Sequence, residues 1–193
     1  MTTRTAPAAG TRGGGQEIST RAGSDPATSV SQRGASPTLD AEAAFLGAVL
    51  HLPAPVALKA LEPITAEDFA DPRLSILADV CRQLAVDGVA PDPVTVLAYI
   101  RRNAVMTGVE AVHGVTLLID ETYGGCPLPA SVGWYRLAVL DAALRRRCAE
   151  LAARIGQAAD HDSLDSLIEL VHAEASAVQA LRNRRAASGG VSL

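Results

Sequence analysis

Aromatic residues are scarce in this sequence of 193 residues, which has two Phe, three Tyr and one Trp. The hydrophobic core must therefore be aliphatic, built from Leu, Val, Ile and Ala. The same scarcity leaves no obvious platform on which the bases of a single-stranded nucleic acid could stack. Basic residues are outnumbered too, with 17 Lys and Arg against 21 Asp and Glu. A surface that is basic throughout is excluded, so any contact with DNA would be local and weak, or indirect.

Cysteines and long apolar runs are equally sparse. The three cysteines, Cys81, Cys126 and Cys148, are an odd number without a CxxC pair, so a disulfide framework is not expected. No apolar run is long enough for a secretion signal, or for the roughly 18 residues that a membrane helix needs. We expect a soluble cytoplasmic protein that makes no contact with membranes.

Motifs for catalysis and cofactor binding are missing as well. A phosphate-binding loop needs GxxxxGK followed by Ser or Thr, and Lys59, the single lysine, has no such context. No GxSxG motif or comparable nucleophile set occurs. The four histidines are scattered, without Cys or acidic partners at metal-ligand spacing. We therefore predict no catalytic residue, no cofactor and no metal site.

Composition and patterning divide the chain into four parts. Residues 1–36 hold six glycines and almost no large aliphatic side chains. They cannot bury enough apolar surface to offset the entropy of ordering, so we predict a disordered leader. Residues 37–128 are predicted to form a helical globular subdomain, 129–185 a helical hairpin and 186–193 a flexible tail.

Capping residues and helical periodicity recur through the predicted globule. Asp71 and Asp92 are each followed by proline, which places an N-cap carboxylate before a proline at the first helical position. Thr65 and Asp68 have the spacing of a capping box. Two apolar stripes follow the proline starts: Leu74, Leu77, Cys81 and Leu84, then Val94, Leu97 and Ile100. No segment has a convincing strand pattern.

The C-terminal part has a different pattern. Residues 130–159 are typical of one uninterrupted helix, which would be about 45 Å long at 1.5 Å per residue. A polar turn at 160–163 separates it from a returning helix that carries apolar residues at helical spacing. Short connections make neighbouring helices antiparallel. The predicted fold class is therefore all-α, with a small helical globule followed by a long C-terminal helical hairpin.

Four groups of residues, taken in order, resemble the N-terminal domain of DnaB-type replicative DNA helicases. They are the segment 42–50 with its glutamate and Leu-Gly pair, Asp68-Phe69 with Asp71-Pro72-Arg73, then Gly88, Asp92, Thr95 and Val96, and finally Trp134-Tyr135 with Val139, Arg146 and Arg147. The resemblance covers about residues 38–181. It implies a role in DNA replication without catalysis by these residues, since the ATPase domain of the family is not matched in this sequence.

The resemblance also implies partners. In the family, this hairpin pairs with the hairpin of a neighbouring subunit, and the domain acts as a collar that contacts primase or a helicase loader. We therefore expect a homo-oligomer formed through the hairpin, with a replicative helicase, a primase or a helicase loader as a further partner.

Apolar residues on more than one side of the hairpin suggest where a partner would bind. Adjacent pairs such as Leu167 and Ile168 widen the stripe beyond what one partner helix needs. The candidate interface residues are Tyr135, Val139, Leu140, Leu167, Ile168 and Val171. The alternative is that the globule covers both sides of the hairpin.

Arginines cluster in two places, one in the middle of the chain and one at the end of the predicted hairpin. Arg182, Arg184 and Arg185 are the candidate DNA contacts. Arg145, Arg146 and Arg147 are favoured as solvated side chains or as ion pairs with acids such as Asp141 or Glu150, since consecutive helical residues point about 100° apart.

Three functions remain open from the sequence. The preferred one is a non-catalytic protein-interaction and oligomerisation module that acts in DNA replication. The second is a truncated or split subunit of an active ATP-dependent DNA helicase. The third is a small DNA-binding regulator that uses the leader, which has four Arg against two acids, together with the C-terminal arginines.

Overall fold

Seven α-helices and no strand make up residues 40–161 and 163–189, the part of the chain that the structure, a computed structural model, describes. The helices are α1 Ala41–Val49, α2 Ala54–Leu61, α3 Pro72–Val86, α4 Pro93–Arg102, α5 Val109–Gly124, α6 Val132–His161 and α7 Leu164–Gly189. Short 3₁₀ turns at Ala66–Asp68 and Pro129–Ser131 precede α3 and α6. The all-α prediction is confirmed. The predicted leader and residues 190–193 of the predicted tail lie outside the described residues.

Aspartate caps start α3 and α4 where the sequence predicts them. The side chain of Asp71 accepts the backbone N–H of Arg73 at 2.8 Å. Asp92 accepts those of Val94 and Thr95 at 2.8 and 3.1 Å. Each aspartate satisfies N–H groups that have no partner within the helix, and the proline that follows removes one more.

Helix α1 lies at the centre of the globule. Phe45, Leu46 and Val49 are fully buried, and the helix packs against α3, α5 and α6. Gly47 allows the closest approach, because a Cβ added there would lie only 2.3 Å from the carbonyl oxygen of Thr122 in α5. The backbones of α1 and α5 therefore touch without a side chain between them.

The apolar stripes are confirmed in α3 and partly wrong in α4. Every residue of the α3 stripe is buried in the aliphatic core. In α4 the fully buried residues are Val96 and Ile100, whereas Val94 is 76% exposed. Val94 lies more than 100° around the helix from both of them, so it points away from the face that α3 and α5 cover.

Helices α6 and α7 form the predicted hairpin. They pack against each other, and α6 also packs on α1 and α2. Val139, Leu140 and Ala143 of α6 join the same core as α1. The first half of α6 is therefore part of the globule, and the hairpin extends away from it.

Candidate interaction surface

Glu42 builds the first polar connection between globule and hairpin. It is a buried residue of α1, and its two carboxylate oxygens each accept the backbone N–H of Ala70 at 2.9 Å. Arg146 of α6 donates to the same carboxylate at 3.4 Å and to the carbonyl oxygen of Asp68 at 2.8 Å. A buried carboxylate costs little when donors surround it in this way. The turn before α3 is therefore fixed between α1 and α6.

Asp68 makes the second connection, to α7. Its buried carboxylate accepts the backbone N–H of Thr65 at 2.7 Å, which confirms the predicted capping box. Arg184 donates to the two oxygens of Asp68 at 2.6 and 3.0 Å, and to the carbonyl oxygen of Pro63 at 2.9 Å. This two-pronged geometry is the strongest form of an arginine–carboxylate pair.

Arg136 makes the third connection, without a carboxylate partner among residues 40–161 and 163–189. It is buried, and it donates to the carbonyl oxygens of Lys59 and Ser188 at 3.5 and 3.1 Å. These carbonyls lie near the C-terminal ends of α2 and α7, where the helix dipole favours a positive charge. Desolvation by burial lowers the pKa of Arg136. Together with Arg146 and Arg184, it forms what we call the arginine clamp of the hairpin base.

A separate ion-pair cluster holds the two hairpin helices together further out. Glu174 of α7 is buried, and it pairs with Arg147, at 2.9 Å, and with Arg154, both from α6. Nearer the base, Arg185 pairs with Asp141 at 2.5 Å. The hydrogen bond from Arg185 lowers the pKa of Asp141.

The three arginines predicted to contact DNA differ in exposure and in their partners within the chain. The guanidinium of Arg184 is engaged by Asp68 and the backbone, so DNA would have to compete with these partners for it. Arg185 remains exposed but shares its charge with Asp141, and Arg182 is exposed without an ion pair among the described residues. For all three arginines a DNA contact stays a prediction.

The candidate interface residues divide between the base and the outer part of the hairpin. Val139 and Leu140 are fully buried in the chain's own core, so the prediction that they form an interface is wrong: α1 and its neighbours already cover them. Tyr135 is half-buried against the same core. At the base of the hairpin, therefore, the globule covers the apolar residues, which is the alternative that the sequence left open.

The outer part of α7 keeps an apolar stripe in solvent. Leu164, Ile168 and Val171 are 71%, 45% and 37% exposed, and Leu167 is half-buried. These four residues, which we call the distal hairpin surface, have the spacing i, i+3, i+4 and i+7 and so share one helix face. Leu164 was missed as an interface candidate, although its position at the start of the stripe carries the signal.

The two ends of the hairpin differ in charge. From Ile155 to Leu181 the sequence has no Lys or Arg. The same stretch holds five acids: Asp160, Asp162, Asp165, Glu169 and Glu174. Glu174 is paired with arginines. The other acids of this stretch, among them Asp165 and Glu169 beside the distal hairpin surface, have no basic residue near them in the sequence.

An apolar groove of about 490 Å³ runs between α4 and α5. Its apolar lining includes Val94, Leu97 and Ala98 from α4, and Ile119 and Tyr123 from α5. Arg101 and Asp120, both exposed, also line it. The sequence stripe for α4 assigned Val94 and Leu97 to the core, and this is why the α4–α5 groove could not be anticipated.

Burial makes two of the cysteine thiols less acidic than a free thiol. Burial raises the pKa of the Cys81 thiol to about 12 and also raises that of Cys126. Within residues 40–161 and 163–189, no group of three His, Cys, Asp or Glu side chains could hold a metal ion. In that same part of the chain, no helix is both long and apolar enough to cross a bilayer.

The described residues form an all-α fold in which a helical globule carries a clamped helical hairpin. Residues 35–125 match the family model of the DnaB-like helicase N terminal domain. The solved N-terminal domain of DnaB helicase from Mycobacterium tuberculosis is similar, with 26% sequence identity over 72% of this chain and 95% of that chain, and a TM-score of 0.60. Both matches agree with the family resemblance seen in the sequence. No curated protein matches it.

Proposed function

We propose that this protein is a non-catalytic interaction module of DNA replication. It self-associates through the hairpin and engages a replicative helicase, a primase or a helicase loader. The observation that carries the proposal is the contrast along the hairpin, whose base is held by the arginine clamp while the distal hairpin surface remains uncovered.

The clamp suits a binding role because it fixes the hairpin before any partner arrives. Arg146 and Arg184 tie α6 and α7 to the same turn at Asp68, so the hairpin base has little freedom to move against the globule. A surface held in its bound orientation loses less entropy on association.

The distal hairpin surface suits a protein partner rather than DNA. Its apolar residues have the i, i+3, i+4, i+7 spacing by which a helix binds a hydrophobic groove. The acids Asp165 and Glu169 lie next in sequence to Leu164 and Ile168, and they would repel a phosphate backbone. The regulator hypothesis is not favoured, since Arg184 and Arg185 already have partners within the chain.

Retention of purified replication proteins tests the proposal. The full chain is immobilised, and the helicase, primase and helicase loader of the same host are passed over it one at a time. We expect at least one to be retained, and the double variant Leu164→Asp with Ile168→Asp to weaken that retention by about tenfold or more. Leu117→Asp is the matched control, because Leu117 is an exposed leucine on α5 outside the hairpin.

Two results would overturn the proposal. One is that none of the three proteins is retained at any concentration. The other is that the double variant binds as well as the wild type. A third arm measures binding to labelled duplex DNA, where tight binding that weakens steeply with salt would favour the DNA-binding regulator instead.

A further inference from the structure

We propose that a pocket at the base of the hairpin binds a phosphate group, either inorganic phosphate or the phosphate of a small molecule such as a nucleotide. The pocket has a volume of about 330 Å³ and is lined by residues of α2, α6 and α7. We call it the α2–α6–α7 pocket. Its charged lining residues are Lys59, Arg136, Arg184 and Glu62. Its binding of phosphate does not depend on self-association through the distal hairpin surface.

Arg136 is the buried cation of this pocket. It is 2% exposed, and no ion pair within residues 40–161 and 163–189 neutralises it. A guanidinium has five N–H donors. Two of them donate to the carbonyl oxygens of Lys59 and Ser188, and the buried Nε has no partner among the described residues. The two helix ends supply partial negative charge but no full counter-charge. Because a buried charge is costly unless it is paired, this guanidinium favours an anion beside it.

Lys59 brings a second positive charge to the pocket. It is exposed, and it forms no ion pair in the part of the chain that the structure describes. Arg184 contributes less, because Asp68 already accepts from it at 2.6 and 3.0 Å. Lys59 and Arg136 thus offer two charges without a carboxylate partner.

A phosphate group matches these two charges better than a carboxylate does. A phosphate monoester carries a charge of about −1.5 to −2 at pH 7 and has three strong acceptor oxygens. A carboxylate carries one charge on two oxygens. The planar guanidinium and the ammonium group are both established phosphate ligands in proteins.

Glu62 opposes an anion in the same pocket. It is exposed and forms no ion pair with Lys59, three residues before it, within the described residues. Water and salt screen an exposed carboxylate, so Glu62 weakens the binding of phosphate without preventing it. Removal of this charge by Glu62→Gln should therefore tighten binding, which gives the proposal a test of sign.

The pocket has room for more than the phosphate itself. Its volume is at the lower end of the range of about 300–1,000 Å³ that is typical of small-molecule sites. Pro63 and Ala187 add apolar surface to the lining, against which the rest of a phosphate ester can pack. A nucleoside monophosphate is therefore a suitable larger probe.

A bound phosphate would strengthen the hairpin base. Arg136 of α6 already donates to carbonyl oxygens of α2 and α7. An anion held by Lys59 and Arg136 adds a further connection between α2 and α6. Because the ligand binds the folded chain, it should also raise the thermal stability of the protein.

Calorimetric titration of the full chain with inorganic phosphate tests the proposal. We expect one saturable site, and a rise in Tm of about 3–6 °C at about ten times the dissociation constant. Sodium chloride at equal ionic strength is the control for screening. Absence of binding, or an equal rise in Tm with sodium chloride, would overturn the inference.

Two further titrations distinguish the sources of the phosphate. A nucleoside monophosphate that binds more tightly than inorganic phosphate would assign the pocket to a nucleotide, and equal affinities would assign it to the phosphate group alone. The unphosphorylated nucleoside should not bind. If it binds as tightly as its monophosphate, the inference is overturned.

Substitutions locate the site. Lys59→Ala removes an exposed side chain and should weaken phosphate binding by about fivefold or more, because a charged hydrogen bond is lost. Arg145→Ala, which removes an exposed arginine of α6 outside the pocket, is the matched control and should bind as the wild type does. Arg136→Met keeps an unbranched side chain without the charge and should abolish binding, with circular dichroism as the check of folding.

The exposed positions keep the test decisive if Arg136→Met does not fold. Equal affinities of Lys59→Ala and the wild type would overturn the inference, and so would weaker binding by Glu62→Gln. Duplex DNA that binds through Lys59, in a protein that does not bind phosphate or the nucleotide, would assign the pocket to DNA and overturn it as well.

Discussion

Removing Asp68 should destabilise the protein more than removing any exposed carboxylate. The change Asp68→Ala deletes the cap at Thr65, which is worth about 1 kcal/mol. It also leaves Arg184 without its carboxylate, in a place where that side chain is only 32% exposed. Breaking a fully buried pair costs about 3–5 kcal/mol, and partial exposure reduces this to about 2 kcal/mol. The expected fall in the free energy of unfolding is therefore about 3 kcal/mol.

The Asp71–Arg73 pair provides a matched control. Arg73 is 67% exposed and pairs with its aspartate at 2.6 Å, the same distance as the closest contact between Arg184 and Asp68. Arg73→Ala should cost much less than Arg184→Ala, because water screens and replaces the contact. Arg184→Ala should cost about 2 kcal/mol, since it leaves the carboxylate of Asp68 buried with fewer donors.

Urea unfolding followed by far-ultraviolet circular dichroism measures both changes. A double-mutant cycle on Asp68 and Arg184 should give a coupling energy of about 1.5 kcal/mol or more, and the same cycle on the control pair should give a much smaller coupling. In thermal unfolding, Asp68→Ala should lower Tm by about 6–12 °C. The reasoning is refuted if Arg184→Ala is no more costly than Arg73→Ala.

Three further predictions concern packing, thiol reactivity and pH. Gly47→Ala should lower the free energy of unfolding in urea by about 2–3 kcal/mol, because its Cβ would clash with the α5 backbone. Gly114→Ala, with open space around it, should raise that free energy by about 0.5–1 kcal/mol. Equal stabilities of the two variants would contradict this. Cys81, whose pKa is about 12, should resist a thiol reagent at pH 8 until the protein unfolds, whereas the exposed Cys148 should react at once. Mass spectrometry of labelled peptides measures the two rates. Equal rates would contradict the protection of Cys81 by burial. A hydrogen bond from arginine lowers the pKa of Asp141 below 3.8, so its charged form stabilises the fold above about pH 4 and this contribution is lost as the pH falls through the lowered pKa. Asp141→Asn should thus be less stable than the wild type at pH 7, and the difference should vanish in acid; a difference that persists there would point to another cause.

Local chemistry made much of the fold predictable. The caps at Asp71 and Asp92 and the capping box at Thr65 each depend on residues within a few positions of one another, so the sequence displays them directly. The long helix of the hairpin is likewise a matter of uninterrupted periodicity. These elements were correct to within a few residues of their observed ends.

The candidate surface was less predictable, because periodicity shows which side of a helix is apolar and not what covers it. Val139 and Ile168 lie in similar sequence patterns, yet one is in the core and the other is in solvent. Glu42 and Arg184 carry charges that normally indicate a solvated surface. Only the packing of α1, α6 and α7 around Asp68 buries Glu42 and brings Arg184, which is half-buried, onto a buried carboxylate. These relations join residues more than a hundred positions apart.

Sedimentation equilibrium of the full chain tests the central claim most directly, namely that the outer hairpin exists to bind another protein. The wild type should show concentration-dependent masses that are multiples of 19.9 kDa. The double variant Leu164→Asp with Ile168→Asp should remain at 19.9 kDa with an unchanged helical spectrum. A wild type that stays monomeric at every concentration, or a double variant that associates equally well, would contradict the account.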